Sequence, residues 1–80
     1  MIHICFVNES EELRQIGERL KSLRMKNGYG SYEDFAIKNN LSRMQYWRIE
    51  KGKTNLTFRS LLVILKIHKI SLKDFFSDNF

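Results

Sequence analysis

The chain has 80 residues, of which 42% are hydrophobic and 29% are charged, a composition typical of one folded domain and not of a disordered chain. Its single cysteine, Cys5, excludes an internal disulfide framework, and its longest apolar run, 61–65, is much shorter than the ~18 residues of a membrane span. Because 14 Lys and Arg outnumber 9 Asp and Glu, the net charge is +5, which indicates a polyanionic partner.

Residues 1–9 are interpreted as an N-terminal arm. Ile2, Ile4 and Phe6 occupy alternate positions, as they do in a short strand. Since the rest of the chain offers no second strand, the arm either pairs with the same segment of another subunit or is flexible.

The first helix is predicted to begin near Ser10, whose hydroxyl can cap it, and to end at Asn27-Gly28. Its apolar residues recur at steps of three and four and form one stripe: Leu13, Ile16, Leu20 and Leu23. Gly17 lies inside this helix, where it costs about 1 kcal/mol relative to alanine. It either permits close packing or is simply tolerated.

Two short helices joined by a tight turn are predicted over residues 32–51. Ser31 caps the first helix, which ends at the turn signal Asn39-Asn40. Ser42 caps the second, which Gly52 ends. In the second helix Tyr46 and Ile49 are predicted to face inward, and five side chains to face outward: Arg43, Met44, Trp47, Arg48 and Lys51.

A fourth helix is predicted to begin after a cap at Thr57 or Asn55 and, being nearly all apolar, to be the most buried. Ser71 caps a short fifth helix with Phe75 and Phe76. The sequence thus predicts an all-α domain of five helices over residues 10–77.

The pair of helices over 32–51 has the form of a helix-turn-helix, in which the second helix enters the major groove of duplex DNA. The segments Ile16-Gly17-Glu18-Arg19-Leu20, Phe35-Ala36 and Arg48-Ile49-Glu50-Lys51-Gly52-Lys53 resemble, in order and spacing, the XRE (Cro/C1-type, lambda-repressor-like) family. The resemblance covers roughly residues 13–77. It implies a compact five-helix, lambda-repressor-like DNA-binding domain.

The resemblance also implies roles for individual residues. The base-reading residues would be Arg43, Met44 and Arg48, and the arginine fork does match a guanine edge. The phosphate-binding residues would be Tyr32, Ser42, Gln45, Trp47, Lys53 and Arg24. Arg24 and Glu50 also match an ion pair of the family, which we expect to be structural. Packing against a helix or a partner subunit remains an alternative for Trp47, and a solvated helix face remains one for the base-reading residues.

Four residues depart from the family pattern. Tyr32 replaces a glutamine, Asn40 replaces the turn glycine, Gln45 replaces a small residue and Tyr46 replaces an isoleucine. The loop over 28–31 is also one residue longer. These changes bear on the contacts with DNA more than on the fold.

A homodimer on a palindromic operator is expected, because one recognition helix covers only a few base pairs. The candidate dimer contacts are Phe75, Phe76, Phe80, Ile2 and Ile4. No metal, cofactor, small-molecule ligand or membrane partner is predicted. His3 and His68 are isolated, and no catalytic pair of residues is apparent, so we do not predict an enzyme.

The predicted function is therefore sequence-specific binding of double-stranded DNA by a bacterial transcriptional regulator, a repressor, in the cytoplasm on the nucleoid. The alternative is a module of the same fold that binds a partner protein, including an antitoxin-type regulator. Salt dependence separates the two, since phosphate contacts weaken steeply as salt rises.

Overall fold

A computed structural model of the chain describes residues 9–77, which contain five helices and no strand. The helices are α1 (Glu9–Lys26), α2 (Tyr32–Lys38), α3 (Arg43–Lys51), α4 (Phe58–Ile67) and α5 (Leu72–Phe75). The predicted all-α fold is confirmed. The predicted strand in the arm, with Ile2 and Ile4, lies outside the described residues, as does Phe80. None of the five helices has the length and hydrophobicity needed to cross a membrane.

Hydroxyl side chains begin four of the helices. Ser31, Ser42, Thr57 and Ser71 each accept a hydrogen bond from the backbone N–H three residues further on. Thr57, and not Asn55, is therefore the cap of α4. The cap predicted at Ser10 is wrong, because Ser10 lies inside α1.

All five helices contribute to one apolar core. Its buried residues are Leu20, Leu23, Phe35, Ala36, Tyr46, Ile49, Leu61, Ile64, Leu65 and Phe75. The Phe35 ring is central, with its centroid 4.9 Å from that of Tyr29 and 4.8 Å from that of Tyr46. Phe75 is fully buried, so its prediction as a dimer contact is wrong: α5 turns Phe75 into the core and leaves Phe76 exposed.

Helix α4 is less buried than the sequence predicts. Its residues Leu61, Ile64 and Leu65 enter the core, whereas Phe58, Leu62 and Val63 are exposed. A helix at the edge of so small a core is covered on one side only, so a nearly all-apolar sequence leaves apolar residues in solvent. We call Phe58, Leu62 and Val63 the α4 apolar face.

Two glycines allow α1 and α3 to pack closely. A Cβ atom on Gly17 would lie 2.6 Å from the carbonyl oxygen of Ile49. Gly52 has a φ of 69°, and a Cβ there would lie 2.6 Å from Cα of Arg14. Of the two interpretations of Gly17, close packing is therefore the one observed. The contact fixes one side of α3 against α1.

Candidate nucleic-acid interface

The turn between α2 and α3 is built from two asparagines and a leucine. Nδ2 of Asn39 donates to the carbonyl oxygen of Phe35 at 2.9 Å, which closes the end of α2. Asn40 has a φ of 62°, the left-handed conformation that a short polar side chain tolerates. The N–H of Leu41 then donates to the carbonyl oxygen of Ala36 at 2.8 Å. The chain reverses within these residues, and α3 begins directly after Ser42.

Helix α3 has an inner and an outer face. Tyr46, Ile49 and Glu50 are buried on the inner face, as predicted for the first two. The exposed residues of the helix are Arg43, Met44, Gln45, Arg48 and Lys51. All three predicted base-reading residues therefore lie in solvent, with Met44 and Arg48 one helical turn apart. A helix that enters a groove needs this division between a packed side and a free polar side.

The N-terminal end of α3 offers donors for a phosphate. The hydroxyl of Ser42 accepts from the N–H of Gln45 at 3.3 Å, which leaves its own proton free to donate. The N–H groups in the first turn of a helix lack helical acceptors, and an anion can take their place. The predicted phosphate contacts of Ser42 and Gln45 fit this geometry.

Arg59 is a cation near α3 that is not among the residues predicted from the sequence. A crevice of about 270 Å³ separates α3 from α4, with Ser42 and Gln45 on one side and Arg59 and Ser60 on the other. Arg59 is exposed and lies in the first turn of α4. A cation is unfavourable in the first turn of a helix, which is the positive end of the helix dipole. An arginine at this position of a predicted helix was therefore the sequence feature that could have marked Arg59 as a candidate site residue.

Trp47 and Lys53 lie together at the other end of α3. Nζ of Lys53 is 6.0 Å from the centroid of the half-buried Trp47 ring, at the limit of a cation–π contact. The backbone N–H of Lys53 donates to the carbonyl oxygen of Arg48 at 2.9 Å and so fixes Lys53 to the end of the helix. Candidate phosphate ligands therefore occur at both ends of α3, about 13 Å apart for a helix of this length.

Arg24 of α1 and Glu50 of α3 form the predicted ion pair, and it is buried. Nε of Arg24 lies 2.7 Å from Oε2 of Glu50, and each side chain is 5% exposed. Nη1 of Arg24 donates to the carbonyl oxygen of Tyr29 at 2.8 Å. Arg24 thus holds α3 against α1. Because Arg24 is buried, a DNA phosphate cannot reach its guanidinium, and we do not include Arg24 among the phosphate ligands.

Two tyrosines belong to the helix pair itself. Tyr32, the first residue of α2, is half-buried against the core, so only part of its side chain is open to a phosphate. Tyr46 lies on the buried face of α3, where burial and then the nearby carboxylate of Glu50 raise the pKa of its hydroxyl. Tyr46 therefore stays protonated and belongs to the core below the interface.

An exposed ion pair links the two helices on their outer side. Nη1 of Arg43 lies 3.5 Å from Oε2 of Glu33 of α2, and the side chains are 59% and 52% exposed. This contact is not evident in the sequence, because its residues lie on different helices and the family resemblance does not imply it.

Comparison with known proteins identifies a relative of the chain. No protein-family model matches it. Control protein C.MunI from a Mycoplasma species is 38% identical over 64 residues, which are 80% of this chain and 86% of that protein. The matched part thus spans most of both proteins. The chain therefore belongs to the family of control proteins that includes C.MunI.

Proposed function

We propose that the protein is a transcriptional regulator of the XRE (Cro/C1-type) helix-turn-helix family that binds double-stranded DNA sequence-specifically through α3. The observation that carries the proposal is the outer face of α3, where Arg43, Met44 and Arg48 are exposed while the opposite face is held in the core. The name of the relative, a control protein, supports a regulatory role. Such a protein acts in the cytoplasm, where the nucleoid DNA is.

In this mechanism the two arginines and Met44 read base edges. A guanidinium fork donates to O6 and N7 of guanine, and a thioether side chain packs on a thymine methyl group. Ser42 and Gln45 bind a phosphate at one end of α3, and Lys53 binds one at the other. Because the two sites bracket the helix, they set its position along the groove before any base is read.

The protein acts as a homodimer and represses the promoters that its operator overlaps. Two recognition helices related by a two-fold axis read half-sites about one helical turn of DNA apart, which makes the operator palindromic. The α4 apolar face and the exposed ring of Phe76 support this assembly, since they are large apolar side chains that remain exposed among residues 9–77.

The same apolar face favours a second candidate, a module that docks on a partner protein, as an antitoxin-type regulator does. The response to salt separates the two. Each phosphate contact contributes about −0.9 to the slope of log affinity against log salt concentration, whereas an apolar interface keeps its affinity as salt rises.

Selection of bound duplexes from a random pool tests the proposal. We expect enrichment of a palindromic site by the full chain. Arg43→Ala and Arg48→Ala should each relax the base preference at one position by about 1–3 kcal/mol. Lys53→Ala should weaken all duplexes alike and lower the salt slope by about 1.

Lys21→Ala is the control for these variants, because it removes one exposed charge from α1, outside the helix pair. It should bind almost as the unaltered protein does. Enrichment of no duplex would overturn the proposed function, and an equal loss for every duplex in all three variants would overturn the assignment of base-reading residues.

A further inference from the structure

The ion pair between Glu33 and Arg43 joins the bracing helix to the first residue of the recognition helix. Its 3.5 Å separation is that of a charge contact and not of a short hydrogen bond. The guanidinium of Arg43 therefore keeps its five N–H donors available, of which a guanine edge uses two. Glu33 therefore restrains the position of the guanidinium without occupying the donors that a base needs.

An exposed arginine at the start of a recognition helix is otherwise a poor discriminator. Its long side chain has many rotamers, and any phosphate of the backbone can attract it regardless of sequence. A carboxylate beside the guanidinium restricts the rotamers and competes with phosphates for the charge. Both effects lower the affinity for the wrong sequence more than the affinity for the right one.

We propose that Glu33 is a specificity-determining residue, which positions the guanidinium of Arg43 for one base pair and opposes its capture by phosphates. The inference rests on the proposed function, since it needs α3 in a DNA groove. Glu33 is a positioning residue here and acts through Arg43. As an exposed pair contributes little, the expected effects are about two- to fivefold in affinity.

Asp34 supplies a matched control on the same helix. Its carboxylate lies 3.4 Å from Nζ of Lys38, one turn further along α2, and both side chains are exposed. Asp34→Asn removes one negative charge from the residue next to Glu33 and breaks an exposed ion pair, but it releases no side chain of α3. A general effect of charge appears in both variants, whereas positioning of Arg43 appears only at Glu33.

The experiment measures the affinity of the full chain for three duplexes. These are the selected site, the same site altered at the base pair where Arg43→Ala loses its preference, and a random sequence. Glu33→Gln should raise the affinity for random DNA about two- to fivefold and lower discrimination at that base pair by a similar factor. Asp34→Asn should leave the discrimination unchanged.

Two further variants separate positioning from repulsion. Glu33→Asp keeps the charge but shortens the side chain, so it should lower discrimination without strengthening the binding of random DNA. In an Arg43→Ala background, Glu33→Gln should no longer affect discrimination. Thermal melting followed by circular dichroism checks that every variant is folded, as expected for exposed positions.

The inference is overturned if Glu33→Gln discriminates as the unaltered protein does, or if Asp34→Asn loses as much discrimination. It is also overturned if the effect of Glu33→Gln persists without the arginine. In each of these cases the proposed function stands, because the unaltered chain still selects a site. If the unaltered chain enriches no duplex, the proposed function fails and the inference fails with it.

Discussion

The imidazole of His68 lies where three helices meet. His68 follows the last residue of α4, its ring stacks on Phe35 of α2 with centroids 4.9 Å apart, and Nδ1 is 2.9 Å from Nδ2 of Asn27 after α1. An amide that donates to Nδ1 requires this nitrogen to be unprotonated. Burial lowers the pKa of His68, against a smaller opposing effect of Glu50. The core therefore favours the neutral ring.

We predict that the free energy of unfolding decreases as the pH is lowered from about 7.5 to about 5. The ordinary pKa of the histidine, 6.5, applies to the unfolded chain, and the folded value is lower. The unfolded state thus binds more protons in this window. The contribution of His68 to the free energy of unfolding is therefore complete above pH 6.5 and is lost as the pH falls through the pKa of His68 in the folded protein. Urea denaturation at several pH values measures the decrease.

Substitution of each histidine in turn identifies the group responsible. His68→Gln should flatten the pH dependence whatever its effect on stability at neutral pH, and His3→Gln should retain the dependence. An unchanged pH dependence in His68→Gln would contradict the assignment.

At the scale of elements, replacement of Gly17 by alanine has two opposing effects on the packing of α1 against α3: a gain in helix propensity and a steric clash. Inside a helix, alanine stabilises the helical conformation by about 1 kcal/mol relative to glycine. Its Cβ, however, would lie 2.6 Å from the carbonyl oxygen of Ile49, which is backbone and cannot rotate away. Overpacking of this kind costs about 1–3 kcal/mol. The clash therefore outweighs the gain in helix propensity.

We predict that Gly17→Ala lowers the free energy of unfolding by up to about 2 kcal/mol. Chemical denaturation measures the change. Gly30→Ala is the matched control: its Cβ would meet open space, and its effect should be neutral or slightly stabilising. A stabilised Gly17→Ala protein would mean that α1 and α3 separate easily.

The elements that the sequence predicts correctly depend on local chemistry. The caps at Ser31, Ser42 and Ser71 follow from a hydroxyl and the N–H three residues away, and the turn at Asn40 follows from its tolerance of positive φ. The exposed side of α3 follows from helical periodicity, so it was also predictable.

The features that the sequence does not reveal depend on how helices meet. Apolar character alone does not tell that Phe75 enters the core while Leu62 stays in solvent, because that depends on how much core lies beneath α4 and α5. The contact of Glu33 with Arg43 likewise needs the angle between α2 and α3. Arg59 joins the candidate interface only because α4 begins beside the first turn of α3.

At the scale of the whole molecule, several apolar side chains of α4 and of the α5 region remain exposed among the described residues. Phe58 and Leu62 lie one turn apart on α4, Val63 follows directly, and Phe76 of the neighbouring α5 region is exposed as well. Exposed apolar surface of this kind is typical of contacts between subunits. In a two-fold dimer the same patch meets its own copy, so a single substitution alters the interface twice.

We predict that Leu62→Glu converts the proposed dimer into a folded monomer, since the interface would then contain two like charges on a formerly apolar surface. Sedimentation velocity at micromolar concentration measures the change. Because the two recognition helices no longer bind as one unit, affinity for a palindromic duplex should fall by about a hundredfold or more, while affinity for a single half-site stays the same. Met25→Glu, at another exposed apolar position, on α1, should remain dimeric. A monomeric unaltered protein, or a Leu62→Glu dimer that binds the palindrome normally, would exclude this face as the interface.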